Sequence, residues 1–552
     1  MAAVYYPSAR DGHLPTDSRM TVRVVSAPQS ALRDRAAIDA GVPSRALMQR
    51  AGAAAAAELA RAFGHRMRRG VAVYAGPGNN GGDAWVVAAA LAAAGVRVRV
   101  AEVSEPKTDD ARAERASARA VLDPSPPTGA EDVVVDGVLG TGASGAPRGA
   151  VADAIRRIAA LAADGAAVVA LDVPSGVDAT TGEAATNAVV ADLTITFGTM
   201  KRGLLIARAQ CGRIVTVDIG LGKHSIGRDG APLLVDHGWV HARIPPIAAD
   251  AHKGTRRRIA IMGGAPGMAG ASILAARAAL RSGVGMARAI VHPASVAAVQ
   301  SSAHAALARA WPESDDEIRD AICDWAHALV IGPGLGLGRD TRTRIERVLS
   351  LWRGPVVLDA DALTAFAGDA PGLAAVLAGR KALITPHVVE FTRLAGGTAD
   401  SVLAARFDVG AELAAQLGCV VLLKGLPTVL HAPDGTSLVS AAGTPVLATG
   451  GSGDLLAGIA GTLIAQMDDP LEAAACAAWV HGRASERAGD GLRRDADGPN
   501  ASRAQPRAIR GVTLEDVMTA LATVWTEPPT TPRSPVIAEL PAVGDPRQHS
   551  AT

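Results

Sequence analysis

Cysteine is scarce, with four in 552 residues, at positions 211, 323, 419 and 476. No two stand in a CxxC spacing, so neither a structural zinc nor a redox dithiol has support, and so few thiols argue against a disulfide framework. Aromatic residues make up only 3% of the chain. The core must then be Ala, Val, Leu and Ile packed around small side chains, with few platforms on which a base could stack. Neither sign of charge dominates: 55 Lys and Arg face 54 Asp and Glu, which leaves no signature of a nucleic-acid or acidic-membrane partner. Long apolar runs are missing as well. The longest, such as Ala84–Ala94, stop at about 11 residues, short of the roughly 18 that span a bilayer, and Met1–Met20 holds no apolar run of signal-peptide length. The expectation is a cytoplasmic protein of a reducing compartment, with no nucleic-acid and no membrane partner.

What is present is an apolar chain, 49% hydrophobic, long enough for two large domains at roughly 100–200 residues each or somewhat more. Two ends read as disordered tails, 1–20 and the proline-rich 526–552. A seam of Gly and Pro at 231–247 reads as a linker, which leaves domains at 21–230 and 248–525. In both, short β-branched runs alternate with helical segments: Val71–Ala75, Val133–Val135, Ala167–Leu171 and Leu193–Phe197 in the first, Ile259–Met262, Ala328–Ile331, Val356–Leu358, Leu383–Thr385 and Val420–Leu423 in the second. Such βα alternation predicts α/β domains with parallel sheets covered by helices on both faces. Ligands then sit beyond the carboxyl ends of strands.

Three oxygen-rich loops follow strands in the first half: GPGNNGGD at 76–83, DGVLGTG at 136–142 and DVPSGVD at 172–178. The first reads as a bare-backbone loop before a helix Asp83–Ala94, suited to an anion or to a tight turn. Hard oxygen donors without Cys or His suit an alkali or alkaline-earth cation. These loops, with Ala46–Gly52 upstream, resemble the NAD(P)H-hydrate epimerase domain over about residues 24–225. The resemblance implies a Rossmann-like three-layer αβα fold and a K⁺ held by Asn80, Asp136 and Ser175. It also implies substrate contacts from Asn79, Asn80, Gly81, Gly82 and Asp83, from Gly140, Thr141, Gly142, Ala143, Ser144, Gly145 and Ala146, and from Asp172, which is the candidate acid/base. Lys201 either adds positive charge near substrate phosphates or is a solvated surface lysine.

In the second half, Gly450-Gly-Ser-Gly-Asp454 runs straight into an apolar helix, so its amides would form an anion hole at the helix's positive end. Lys424-Gly-Leu-Pro-Thr428 follows a buried strand and combines a cation, bare backbone and a hydroxyl. Further post-strand loops are Gly263–Ala271 and Gly332–Gly336. These motifs resemble the ribokinase-like αβα sandwich of the ADP/ATP-dependent NAD(P)H-hydrate dehydratase. That resemblance implies hydrate contacts at Ala271, Gly336, His387 and Asp454, nucleotide contacts at Lys424, Gly425, Leu426, Pro427, Thr428 and Gly453, and Asp454 as catalytic base with Mg²⁺ on the phosphates. Two departures stand out: Thr385-Pro-His-Val-Val-Glu390 where the family commonly has TPHPGE, and Gly-Ser-Gly-Asp454 where it has GTGD.

Together the resemblances imply repair of NADHX and NADPHX, the hydrates of NADH and NADPH. One half would interconvert R and S epimers, and the other would dehydrate the S form at the expense of ADP, the co-substrate that bacterial members generally use, or of ATP. A homo-oligomer is expected. A ribokinase-class small-molecule kinase fused to a nucleotide-binding module is the alternative, because the glycine-rich loop before Asp454 suits phosphoryl transfer in either.

Overall fold

A computed structural model describes residues 22–122, 125–227, 229–497, 509–528 and 533–543. Two α/β sheets organise it. The first has seven strands in the order Val536–Leu540, Arg213–Val217, Leu193–Phe197, Ala167–Leu171, Val133–Gly137, Val71–Ala75, Val98–Glu102. All pair in parallel except Val536–Leu540, which lies antiparallel on Arg213–Val217. The second has ten, in the order Leu307–Ala310, Met286–Val291, Arg258–Gly263, Ala328–Ile331, Val356–Leu358, Ala382–Ile384, Val420–Leu423, Thr428–His431, Ser437–Ser440, Leu233–Val235. Its first seven strands are mutually parallel.

The central strands are near-continuous Val, Ile, Leu and Ala, and Val71–Ala75, Ala167–Leu171 and Ala328–Ile331 are buried along their whole length. That is the signature of strands covered on both faces. In the first sheet the chain moves from Val71–Ala75 to Val98–Glu102 on one side, then returns to Val133–Gly137 on the other. The second sheet does the same around Arg258–Gly263, with Met286–Val291 on one flank and Ala328–Ile331 on the other. Each reversal opens a crevice at the carboxyl ends of the strands, where α/β proteins bind ligands.

Two expected boundaries are corrected. The 231–247 segment is not a free linker: Leu233–Val235 pairs with Ser437–Ser440 in the second sheet, and Asp236 caps the short helix His237–His241. Leu234 also bonds to the Val22 carbonyl, which ties the two halves together. Nor is 526–552 wholly a tail, because Val536–Leu540 extends the first sheet and Arg533 pairs with Glu58 at 2.8 Å. The 1–20 tail lies outside the described residues, as do 529–532 and 544–552. Between the halves a shared apolar cluster joins Val173, Val177, Met200 and Leu204 to Phe407, Val429 and Val439. At about 1.5–3 kcal/mol for each large apolar side chain fully buried, this contact is a substantial bond between them. Among the described residues no helix is long and apolar enough to cross a membrane.

Candidate functional sites

At the first crevice the three loops meet. Asp136, at the end of its strand, is fully buried. Its Oδ1 accepts from the Ser175 hydroxyl at 2.6 Å and its Oδ2 from the Ser175 amide at 2.8 Å. Leu139 links this pair to Asn80: its amide donates to Ser175 Oγ at 2.9 Å, and its carbonyl accepts from Asn80 Nδ2 at 2.7 Å. Asn80 Nδ2 also reaches the Leu171 carbonyl, while its Oδ1 is buried with no partner. Burial pushes the Asp136 carboxyl up to about 6, against the pull of Ser175 and the Val138 amide. A buried carboxylate with no cationic partner among the described residues, beside an orphaned amide oxygen, is a donor set that fits a weakly hydrated cation such as K⁺.

Beside it stands Asp172, one of three non-glycine residues with positive φ among the described residues, at 60°. Asp tolerates this left-handed region better than most residues, and such strain gathers at functional sites. Its Oδ1 lies 2.6 Å from Lys201 Nζ, and the Thr141 amide donates to Oδ2 at 3.2 Å. Burial would raise this carboxyl, but the Lys201 charge and these hydrogen bonds outweigh it and hold it below the usual carboxylate range. Asp83 is nine-tenths buried near Asp172. Burial first, then the Asp172 and Asp34 charges, raise it well above that range. Burial and neighbouring charges thus push two nearby carboxyls in opposite directions, Asp172 down and Asp83 up, an arrangement that suits proton transfer.

The second crevice is built alike. Loops Gly263–Ala271 and Gly332–Gly336 are stitched together, with the Ala265 amide 2.7 Å from the Gly334 carbonyl and the Gly336 amide 2.8 Å from Asp361 Oδ2. Lys424 Nζ meets Asp359 Oδ1 at 2.7 Å and Glu390 Oε2 at 3.7 Å. Asp454 stands in the first turn of the helix Ser452–Gln466, three residues after its N-cap Gly451, so it is not the cap. Burial, then the charges of Asp359 and Asp361, push its carboxyl up to about 7 despite Lys424. A Cβ on Gly453 would lie 3.4 Å from Lys424 Nζ, so the glycine-rich turn faces the lysine.

Residues 259–505 match the family model described as NAD(P)H-hydrate dehydratase, and residues 44–203 that described as YjeF-related protein N-terminus. The bifunctional NAD(P)H-hydrate repair enzyme of Pyrobaculum aerophilum is 35% identical over 508 residues, which cover 88% of this chain and 97% of that one. Its counterpart in Moorella thermoacetica is 32% identical over 482 residues, 81% of this chain and 88% of that one. The chain belongs to the bifunctional NAD(P)H-hydrate repair enzyme family. It carries an epimerase domain and a dehydratase domain. Among solved structures, the ADP/ATP-dependent NAD(P)H-hydrate dehydratase of Bacillus subtilis, co-crystallised with ATP and Mg²⁺, is 26% identical with a TM-score of 0.45, over 53% of this chain and 96% of that one.

In the epimerase domain several expectations change. The helix begins at Asn79, not Asp83. Its glycines serve packing: a Cβ on Gly81 would sit 1.9 Å from the Gly76 carbonyl oxygen, and one on Gly82 2.5 Å from Met48 Sδ. Asn79 and the Gly142, Ser144, Gly145 and Ala146 rim are exposed, whereas Asn80 and Asp83 are buried. Lys201 is not a solvated lysine. It is 2% exposed and bonded to Asp172, Thr196 and the Phe197 carbonyl. In the dehydratase domain His387 caps the helix Val388–Ala395, its Nδ1 accepting from the Val389 and Glu390 amides. The Val-Val pair that replaces Pro-Gly supplies the first two residues of that helix. Two functional neighbours of Lys424, Asp359 and Glu390, emerge only in the fold. The His387-x-x-Glu390 spacing is a capping-box pattern that marks Glu390, but nothing local marks either as a partner of Lys424.

Proposed function

We propose that this chain repairs hydrated NAD(P)H, exchanging the R and S epimers in its first domain and dehydrating the S epimer in its second with ADP as co-substrate. The observation that carries this reading is the pair of separate crevices, each with a perturbed carboxyl beside a lysine ion pair: Asp172 with Lys201, and Asp454 with Lys424–Asp359.

In the epimerase domain Asp172, held below the usual carboxylate range, takes and returns the proton whose transfer at carbon 6 exchanges the two epimers. Asn80, Asp136 and Ser175 would hold K⁺, which when bound supplies a positive centre for the substrate phosphates. In the dehydratase domain Asp454 removes the proton of the carbon-6 hydroxyl as that oxygen attacks the terminal phosphoryl of ADP, and AMP leaves. The carbon-6 C–O bond then breaks with loss of phosphate and of the carbon-5 proton, which restores the ring double bond. The amides around Gly453 and the Lys424 ammonium face the charge that develops on the transferring phosphoryl. Mg²⁺, when bound with the nucleotide, would neutralise phosphate charge.

The test is recovery of dihydronicotinamide absorbance from mixed epimers of the hydrate, with ADP or ATP and Mg²⁺. Full recovery with ADP supports the reading. A phosphorylated vitamin or sugar in place of regained NADH would instead favour a ribokinase-class kinase.

A further inference from the structure

Between helices Ala399–Ala404 and Val409–Leu417 the chain turns through Arg406, whose side chain comes to rest against the Lys424–Thr428 loop. Its surroundings are unusual for a guanidinium. The residue is 8% exposed, Nη1 donates to the Leu426 carbonyl at 3.3 Å, and Nε is buried with no partner. Among the described residues no carboxylate pairs with it, and burial alone lowers its pKa. The acid nearest in sequence, Asp408, is held by Arg202 in a two-pronged contact at 2.7 and 3.0 Å. Gly425 makes room for the cation: a Cβ there would lie 2.2 Å from Arg406 Nη2.

The loop thus has two cations in different electrical states. Lys424 already faces Asp359 and Glu390. Arg406 is desolvated without compensation, a costly arrangement unless an anion completes it. Guanidinium matches phosphate oxygens in geometry and charge.

We propose that Arg406, packed against this loop, takes a phosphate of the bound nucleoside diphosphate. The inference rests on the reading of 424–428 as the nucleotide loop. The diphosphate of the hydrate is the other possible source of that chemistry. The loops expected to hold the hydrate, at Ala271 and Gly336, follow Arg258–Gly263 and Ala328–Ile331, and two strands separate the latter from Val420–Leu423.

The experiment uses the full chain with Arg406→Gln and Arg406→Lys. Calorimetry reads ADP and adenosine binding, and steady-state dehydration reads KM for ADP and for S-hydrate. Loss of one charge-assisted contact predicts that Arg406→Gln weakens ADP by roughly 10- to 100-fold, with adenosine affinity and hydrate KM unchanged and partial recovery in Arg406→Lys. Without nucleotide, the Gln variant should melt no lower than the wild type. Unchanged ADP affinity overturns the proposal, as does parallel weakening of adenosine. A raised hydrate KM with ADP unaffected overturns the nucleotide assignment in favour of the hydrate's diphosphate. If Arg406→Gln does not fold, Gly425→Ala displaces the guanidinium with the charge retained, and wild-type ADP affinity in that variant counts against the proposal. Failure of the wild type to bind ADP defeats the nucleotide reading itself, a result distinct from a silent Arg406.

Discussion

Lys201 Nζ and Asp172 Oδ1 lie 2.6 Å apart at the carboxyl edge of the first sheet, with the lysine 2% and the carboxylate 11% exposed. The lysine is placed by the short parallel pairing of Val24–Val25 with Met200–Lys201, and so by a strand about 175 residues upstream. Its ammonium donates to Thr196 and the Phe197 carbonyl, which leaves its charge to fix the protonation state of Asp172.

Replacing Lys201 by Met should break a buried pair and strand the Asp172 charge, at roughly 3–5 kcal/mol in stability. The double variant Lys201→Met/Asp172→Asn should recover much of that stability and none of the epimerisation. Denaturant titrations of the wild type, the single variants Lys201→Met and Asp172→Asn and the double variant check this, and equal stability of wild type and Lys201→Met would contradict it. The Asp172 carboxyl is lowered in the folded state. Its contribution is therefore present above the unfolded value, about 3.9, and fades as pH falls through the folded one.

Asp454 works as a base only when ionised, and its carboxyl titrates at about 7. The kcat/KM of dehydration should climb about tenfold per pH unit below that value and level off above it. Asp359→Asn removes the charge that, after burial, most raises Asp454, so the inflection should move to lower pH. A flat profile from pH 5.5 to 8 would remove Asp454 from the proton-transfer step.

Epimerisation should need K⁺, while dehydration of pure S-hydrate should proceed without the first site. Ser175→Ala takes a hydroxyl from both Asp136 and the Leu139 amide, so it should raise the K⁺ concentration for half-maximal epimerisation by tenfold or more, about 1.4 kcal/mol. Epimerisation at the same rate in K⁺ and in choline would count against an alkali-ion site.

Much of this was legible in the chain because continuous β-branched runs buried on both faces announce themselves: Val71–Ala75, Ala167–Leu171 and Ala328–Ile331 stand where the residues alone predict. The three oxygen-rich loops were legible for the same reason, since each follows such a run. Glycine misled at 81–82, where its missing side chain serves helix packing against Gly76 and Met48 rather than an open loop. Prolines hid the strand Val536–Leu540, whose pairing with Arg213–Val217 is purely tertiary. Lys201 and Arg406 were illegible for a deeper reason. The carboxylate that pairs with Lys201 and the loop that Arg406 rests against lie outside their own segments, and no local pattern encodes them.

The central claim is that two sites in one chain act in series on one damaged coenzyme. Its most direct test is single-epimer conversion: pure R-hydrate with ADP, K⁺ and Mg²⁺, followed by dihydronicotinamide absorbance. Wild type should convert all of it. Asp172→Ala should proceed only as fast as spontaneous epimerisation allows, Asp454→Ala should slow by roughly 100- to 10,000-fold, and the two variants mixed should restore conversion. Wild-type consumption of R-hydrate by Asp172→Ala, or normal NADH release by Asp454→Ala, would contradict the account.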